Sequence, residues 1–76
     1  MKIEVLGMGC ASCNKLYQNA LEAAKQSGKE VQVVKVEDIQ KIMSYGVLST
    51  PALVIDGVVK TAGKLPKVDD IKEWIK

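Results

Sequence analysis

Lys2-Ile3-Glu4-Val5-Leu6-Gly7-Met8-Gly9-Cys10-Ala11-Ser12-Cys13 changes its local pattern midway. Lys2 to Leu6 alternates charged and apolar residues, as a strand with one buried face does. Gly7-Met8-Gly9 then breaks the alternation, and two glycines in three residues suit a tight strand-to-helix turn. From Ala11 to about Gln26 the period lengthens. Cys13, Leu16, Tyr17, Ala20, Leu21 and Ala24 recur at spacings of three and four and form one apolar stripe. Asn14, Lys15, Gln18, Glu22 and Lys25 fall on the other side. Ser27-Gly28 ends the helix, with Gly28 free to take the left-handed cap conformation.

Beyond this helix, Val31-Gln32-Val33-Val34-Lys35-Val36 is β-branched and nearly alternating, so it reads as a strand. Strand, helix, strand is a βαβ unit, whose strands run parallel with a right-handed crossover. Asp38 can cap a short helix containing Ile39, Ile42 and Met43, which Gly46 closes. After Pro51, Ala52-Leu53-Val54-Ile55 is a strand. Asp56-Gly57 signals a type I′ hairpin, and Val58 to Ala62 returns as its partner. Pro66 suits the first turn of a last helix that buries Val68, Ile71, Trp74 and Ile75. The expected class is α/β, in the order β-α-β-α-β-β-α. One four-stranded mixed sheet would carry helices on both faces, in a single domain over residues 1–76.

Composition bounds the function. A chain of 76 residues with a 47% hydrophobic share has one economical core, with no Phe, one Trp and two Tyr to fill it. A net charge of +2 with scattered lysines argues against a nucleic-acid partner. No apolar run reaches the roughly 18–20 residues of a membrane span, so no membrane partner is expected. No signal-peptide pattern is visible, which makes a cytoplasmic location the expectation. A monomer is expected.

The two cysteines lie in one four-residue stretch, and there is no His. Such a pair staples nothing distant; in a reducing compartment it reads as redox-active or metal-binding. Cys10 falls at the helix mouth, among unpaired N–H groups and at the positive end of the helix dipole, both of which favour a thiolate. Cys13, one turn inside on the apolar stripe, is the shielded thiol. The pattern makes Cys10 the attacking nucleophile in disulfide exchange and Cys13 the resolving thiol. Met8 reads as an apolar lip able to touch partner proteins. Thr50-Pro51 has two readings. One is an ordinary edge or turn proline. The other is a cis proline that brings the Thr50 backbone beside the sulfurs, where it can pair with an extended substrate. Tyr17 and Trp74 read as packing residues.

Cys10-Ala11-Ser12-Cys13 after the first strand, Thr50-Pro51 before the third, Ile55-Asp56-Gly57 at the hairpin and Gly63 after the fourth together resemble the thioredoxin/glutaredoxin superfamily. The resemblance is closest to the small archaeal and bacterial redox-active disulfide proteins and covers essentially the whole chain. It implies strand order 2-1-3-4 and a cis Pro51. It implies a thiol–disulfide oxidoreductase whose only redox group is the Cys10–Cys13 disulfide, with no organic cofactor and no metal. Substrate contacts would come from Met8, Gly9, Ala11, Ser12, Thr50, Pro51 and Gly63. The partners implied are disulfide-containing proteins and an electron donor, either a thioredoxin-reductase-like flavoprotein or another dithiol protein. The chain departs from thioredoxins proper at Gly9, where they carry Trp, and in lacking their extra N-terminal strand and helix. It departs from glutaredoxins at Ala11-Ser12 and at Lys64 after Gly63. No counterpart to the buried acid of thioredoxins is evident, and Glu4 is expected on a solvated face.

Two other readings stand beside this one. Gly7-Met8-Gly9-Cys10-Ala11-Ser12-Cys13 also resembles the loop of heavy-metal-associated domains, which hold Cu(I) between two thiolates. Those domains run β-α-β-β-α-β and end in a strand, whereas this chain ends in a helical pattern. A zinc site would need four ligands, hence two chains. A non-enzymatic redox-sensing or binding module would use the same groove.

Overall fold

The computed structural model describes residues 1–7, 9 and 11–75. Among these the elements are β1 (Lys2–Leu6), α1 (Ala11–Ser27), β2 (Gln32–Val36), α2 (Ile39–Ser44), β3 (Ala52–Ile55), β4 (Val58–Ala62) and α3 (Val68–Ile75). This is the expected order. The strands form one sheet in the order β2-β1-β3-β4. β1 pairs parallel with β2, from Lys2 opposite Gln32 to Leu6 opposite Val36. It pairs antiparallel with β3, with Ile3 opposite Ile55 and Leu6 opposite Ala52. β3 and β4 form the hairpin, whose Asp56 and Gly57 have φ of 49° and 83°, as a type I′ turn requires.

The two-residue period of the strands sorts their side chains onto two cores. Ile3, Val5, Leu53 and Ile55 face Leu16, Ala20 and Ala23 of α1 and Ile71 and Ile75 of α3. Leu6, Val36, Ala52 and Val54 face Ile42 of α2 and the following Val47. Two helices therefore cover one face and one short helix the other. Leu16, Leu53, Ile71 and Ile75 lose all their exposed surface, each burial being worth about 1.5–3 kcal/mol.

Three local expectations need correction. The buried stripe of α1 runs through Cys13, Leu16, Ala20 and Ala23, while Leu21 is exposed. Spacings of 3, 4 and 3 follow the 3.6-residue turn more closely than a stripe widened to Leu21 and Ala24. Pro66 precedes α3 rather than sitting in its first turn. It is buried, and its carbonyl accepts from Asn19 Nδ2 of α1 at 3.1 Å. The start of α3 is instead set by Asp70, whose Oδ2 accepts from the Lys67 N–H at 3.1 Å.

Glu4 is the third. It is 6% exposed, not solvated, because period two places it with Leu6 on the face that α2 covers. Its carboxylate accepts from the Tyr45 hydroxyl at 2.5 Å and lies 3.4 Å from Lys2 Nζ and 4.0 Å from Lys41 Nζ. A buried charge persists when it is paired and hydrogen-bonded, as this one is.

Candidate active site

Parallel β1 must hand its chain directly to α1, and it does so through Gly7 and Gly9. Gly7 donates its N–H to the Val36 carbonyl at 3.0 Å, extending the β1–β2 ladder by one bond. It cannot carry a side chain, because a Cβ there would stand 2.8 Å from Cys13 Cβ and collide with its sulfur. The backbone of Gly7 and the Cys13 side chain thus occupy one another's space. Gly9 takes φ of 80°, a value that favours glycine. Met8 and Cys10, the expected lip and nucleophile, lie outside the described residues.

Cys13 sits in the first turn of α1, is 4% exposed and is disulfide-bonded. Ala11 and Ser12 beside it are exposed, so the surface of the α1 N-terminus is open while its third residue is covered. The first turn holds no acidic side chain to offset the positive end of the helix dipole. Behind Cys13 lies a space of about 10 Å³, lined by Val5, Gly7, Gly9, Cys13, Asn14, Lys35 and Glu37. That volume admits a single water. Lys35 is held there by two contacts: Nζ lies 3.3 Å from Asn14 Oδ1 and 4.7 Å from the centre of the Tyr17 ring.

Thr50 and Pro51 arrive at the same end of the sheet. β3 starts at Ala52 opposite Leu6, so the residues before β3 and those after β1 are neighbours. The Thr50–Pro51 peptide bond is cis. Thr50 is exposed and Pro51 buried. Gly63 belongs to this cluster too. Its N–H donates to the Pro51 carbonyl at 2.8 Å, its φ is 74°, and a Cβ there would lie 2.9 Å from Ser49 Cβ.

Of the residues singled out from sequence, Thr50, Pro51 and Gly63 are thus brought together. Gly9, Ala11, Ser12 and Cys13 follow β1 at the same end of the sheet. The packing role of Gly7 was missed, because a turn glycine and a close-approach glycine look alike in sequence. Lys35 and Glu37 were missed as well. Their signal was available: they continue the Val31, Val33 face of β2 past the core, toward the start of α1. Among the described residues no group of three or more acidic, Cys or His side chains could hold a metal, and no helix is long and apolar enough to cross a membrane.

A mixed sheet in the order 2-1-3-4, a C-x-x-C sequence leading into the helix after β1 and a proline loop opening β3 define a protein of minimal thioredoxin fold. Comparison with known proteins agrees. The thioredoxin domain family matches residues 1–76. A thioredoxin of Methanocaldococcus jannaschii is 38% identical over 74 residues, covering 97% of this chain and 85% of that one. A thioredoxin of Methanothermobacter thermautotrophicus is 36% identical over 73 residues, covering 96% and 95%. A probable thioredoxin of Methanothermobacter marburgensis is 34% identical over 67 residues, covering 83% and 79%. The chain belongs to the thioredoxin family, whose members are at family level thiol–disulfide oxidoreductases.

Proposed function

We propose that this chain is a protein disulfide reductase that works through the Cys10–Cys13 dithiol. The observation that carries the reading is the seat of Cys13: covered, in the first turn of α1, against a glycine whose missing side chain makes room for its sulfur. A resolving thiol must be withheld from solvent yet able to bond with the attacking one, and Cys13 is both covered and disulfide-bonded.

The reaction has two exchanges. The Cys10 thiolate attacks one sulfur of a substrate disulfide, the substrate S–S bond breaks, and the departing sulfur leaves as a thiolate that takes a proton. Cys13 then loses its proton and attacks the Cys10 sulfur of the mixed disulfide. The second substrate thiol departs, and Cys10 and Cys13 are left joined. Two electrons have passed from the dithiol to the substrate. A dithiol protein or a flavin-dependent reductase returns them. No organic cofactor or metal takes part. The exposed Gly9, Ala11, Ser12 and Thr50, with Met8, Pro51 and Gly63, form the surface that meets the substrate. Its partners are disulfide-bearing proteins, neither nucleic acid nor membrane, and the chain acts as a monomer in the reducing cytoplasm.

The test is reduction of a protein disulfide by the wild-type chain and by Cys10→Ser and Cys13→Ser. Cys10→Ser loses turnover entirely, whereas Cys13→Ser accumulates a mixed disulfide visible by mass spectrometry. Turnover retained by Cys10→Ser refutes the assignment. Tight Cu(I) binding by a chain that reduces no disulfide would favour the metal-carrier reading instead.

A further inference from the structure

Glu4 takes no part in the proposed reaction, yet among the described residues it is the one charged side chain in the buried interior. In register it stands between Val34 of β2 and Val54 of β3, in the layer that also holds Leu6 and Ile42. A leucine there would extend that layer. Replacing a buried ion pair by apolar residues of similar volume is often neutral or stabilising, so stability alone does not account for a carboxylate at this position. What a carboxylate adds is direction, because it fixes the groups bonded to it in one place.

Those groups belong to α2. Tyr45 caps α2 at its C-terminal end and donates its hydroxyl to Glu4 Oε2, and Lys41 Nζ of α2 lies 4.0 Å from Oε1. Lys2 Nζ, 3.4 Å from the same Oε1, adds a second cation from β1. α2 needs such a tie, since Ile42 is its one buried residue. The chain beyond it is held as sparsely. Of residues 45–50 only Val47 is buried, and Leu48, Ser49 and Thr50 are exposed up to Pro51. Pro51 is fixed from the β4 side, where its carbonyl accepts from the Gly63 N–H at 2.8 Å. Thr50 is reached from the other side, through Tyr45, Gly46 and Val47.

We propose that Glu4 and Tyr45 are positioning residues for disulfide reduction. Their bond seats the end of α2 on β1 and so sets where Ser49 and Thr50 stand when a substrate backbone docks beside Pro51. This rests on the reductase reading and adds to it the pair that holds the docking loop. Glu4 points to α2, whereas its neighbour Val5 faces the opposite way and lines the space behind Cys13. Loss of the bond therefore weakens capture of a polypeptide and leaves the thiols as they were.

The experiment measures kcat and KM on a peptide with one internal disulfide, and the rate on dithiodipyridine, a small disulfide with no backbone to dock. In Tyr45→Phe, KM for the peptide rises roughly tenfold, the order that one hydrogen bond to a charged group is worth, while kcat holds. The dithiodipyridine rate and the alkylation of Cys10 stay at their wild-type values. Glu4→Leu reproduces the rise, and Glu4→Gln, which still offers Tyr45 a carbonyl oxygen, shows little of it. Glu4→Leu/Tyr45→Phe is no worse than either change alone. Ile71→Val, which loosens the core on the opposite face of the sheet, lowers the urea midpoint without raising KM. An unchanged KM in Tyr45→Phe, or an equal rise in Ile71→Val, overturns the proposal and leaves the bond a contribution to stability. So does a slower dithiodipyridine rate in Tyr45→Phe. A wild-type chain that does not reduce the peptide overturns the reductase reading itself.

Discussion

The Tyr45 hydroxyl donates to Glu4 Oε2 across 2.5 Å, tying the end of α2 to β1, one of the two inner strands of the sheet. Burial pushes the Glu4 carboxyl up. The bonds from Tyr45 and Lys2 and the charges of Lys41 and Lys2 outweigh that and hold it below its ordinary value of 4.5. The same bond, with burial and the Glu4 charge, raises the Tyr45 phenol above 10.0. The stability that Glu4 contributes is therefore complete above about pH 4.5 and is lost as pH falls through the lower folded value. That of Tyr45 is complete below about pH 10 and is lost as pH rises through its higher folded value. Urea midpoints measured against pH should decline at both ends in the wild-type chain. In Tyr45→Phe the midpoint should be lower near neutrality, and the alkaline decline should shrink.

Gly7 and Cys13 make a second prediction. A methyl group at position 7 must displace the Cys13 side chain or the backbone. Gly7→Ala should cost about 1–3 kcal/mol, the usual penalty of overpacking. On the proposed mechanism it should also slow release of the mixed disulfide more than its formation. Denaturant unfolding and stopped-flow quenching measure the two effects separately. Unchanged stability would show that Cys13 has room to spare.

At Gly63 two costs coincide and can be separated. Any other residue must adopt φ near 74°, at roughly 1–3 kcal/mol. Its Cβ must also approach Ser49 Cβ to 2.9 Å. Gly63→Ala should therefore be destabilised, and Ser49→Gly added to it should restore only part of the loss, since it removes the contact and not the conformational cost. Full recovery would assign the whole penalty to Ser49, and no recovery would assign it to the backbone.

These tests rest on features that the sequence displayed unequally. The order of elements, the pairing of strands and the hairpin turn were legible because each depends on local chemistry: the β-branched run at Val31–Val36, Asp56-Gly57 between two strands, and Asp38 ahead of a short helix. Asp38 does cap that helix, accepting from the Gln40 N–H at 3.0 Å. The errors arose where tertiary contacts decide. Glu4 alternates with Ile3 and Val5, as a solvated residue would. Its burial depends on α2 and Tyr45 covering that face of the sheet, a contact that spans forty-one positions. Leu21 belongs to an apolar pattern yet lies outside the core that α1 and α3 share. The site was legible as a list of residues but not as a shape. The space behind Cys13 is made by backbone approach.

Trapping offers a further check on the order of the two exchanges. Cys13→Ser should hold a substrate through Cys10, while Cys10→Ser should hold far less, because Cys13 is covered. Equal yields from the two variants would mean that Cys13 is as accessible to substrates as Cys10.

The most direct test of the central claim is the alkylation rate of each cysteine against pH, on reduced, metal-free chain, with sites assigned by mass spectrometry. Cys10 should titrate well below the free-thiol value of about 8.5 while Cys13 stays protected. Two thiols that react alike, each with an ordinary pKa, would contradict it.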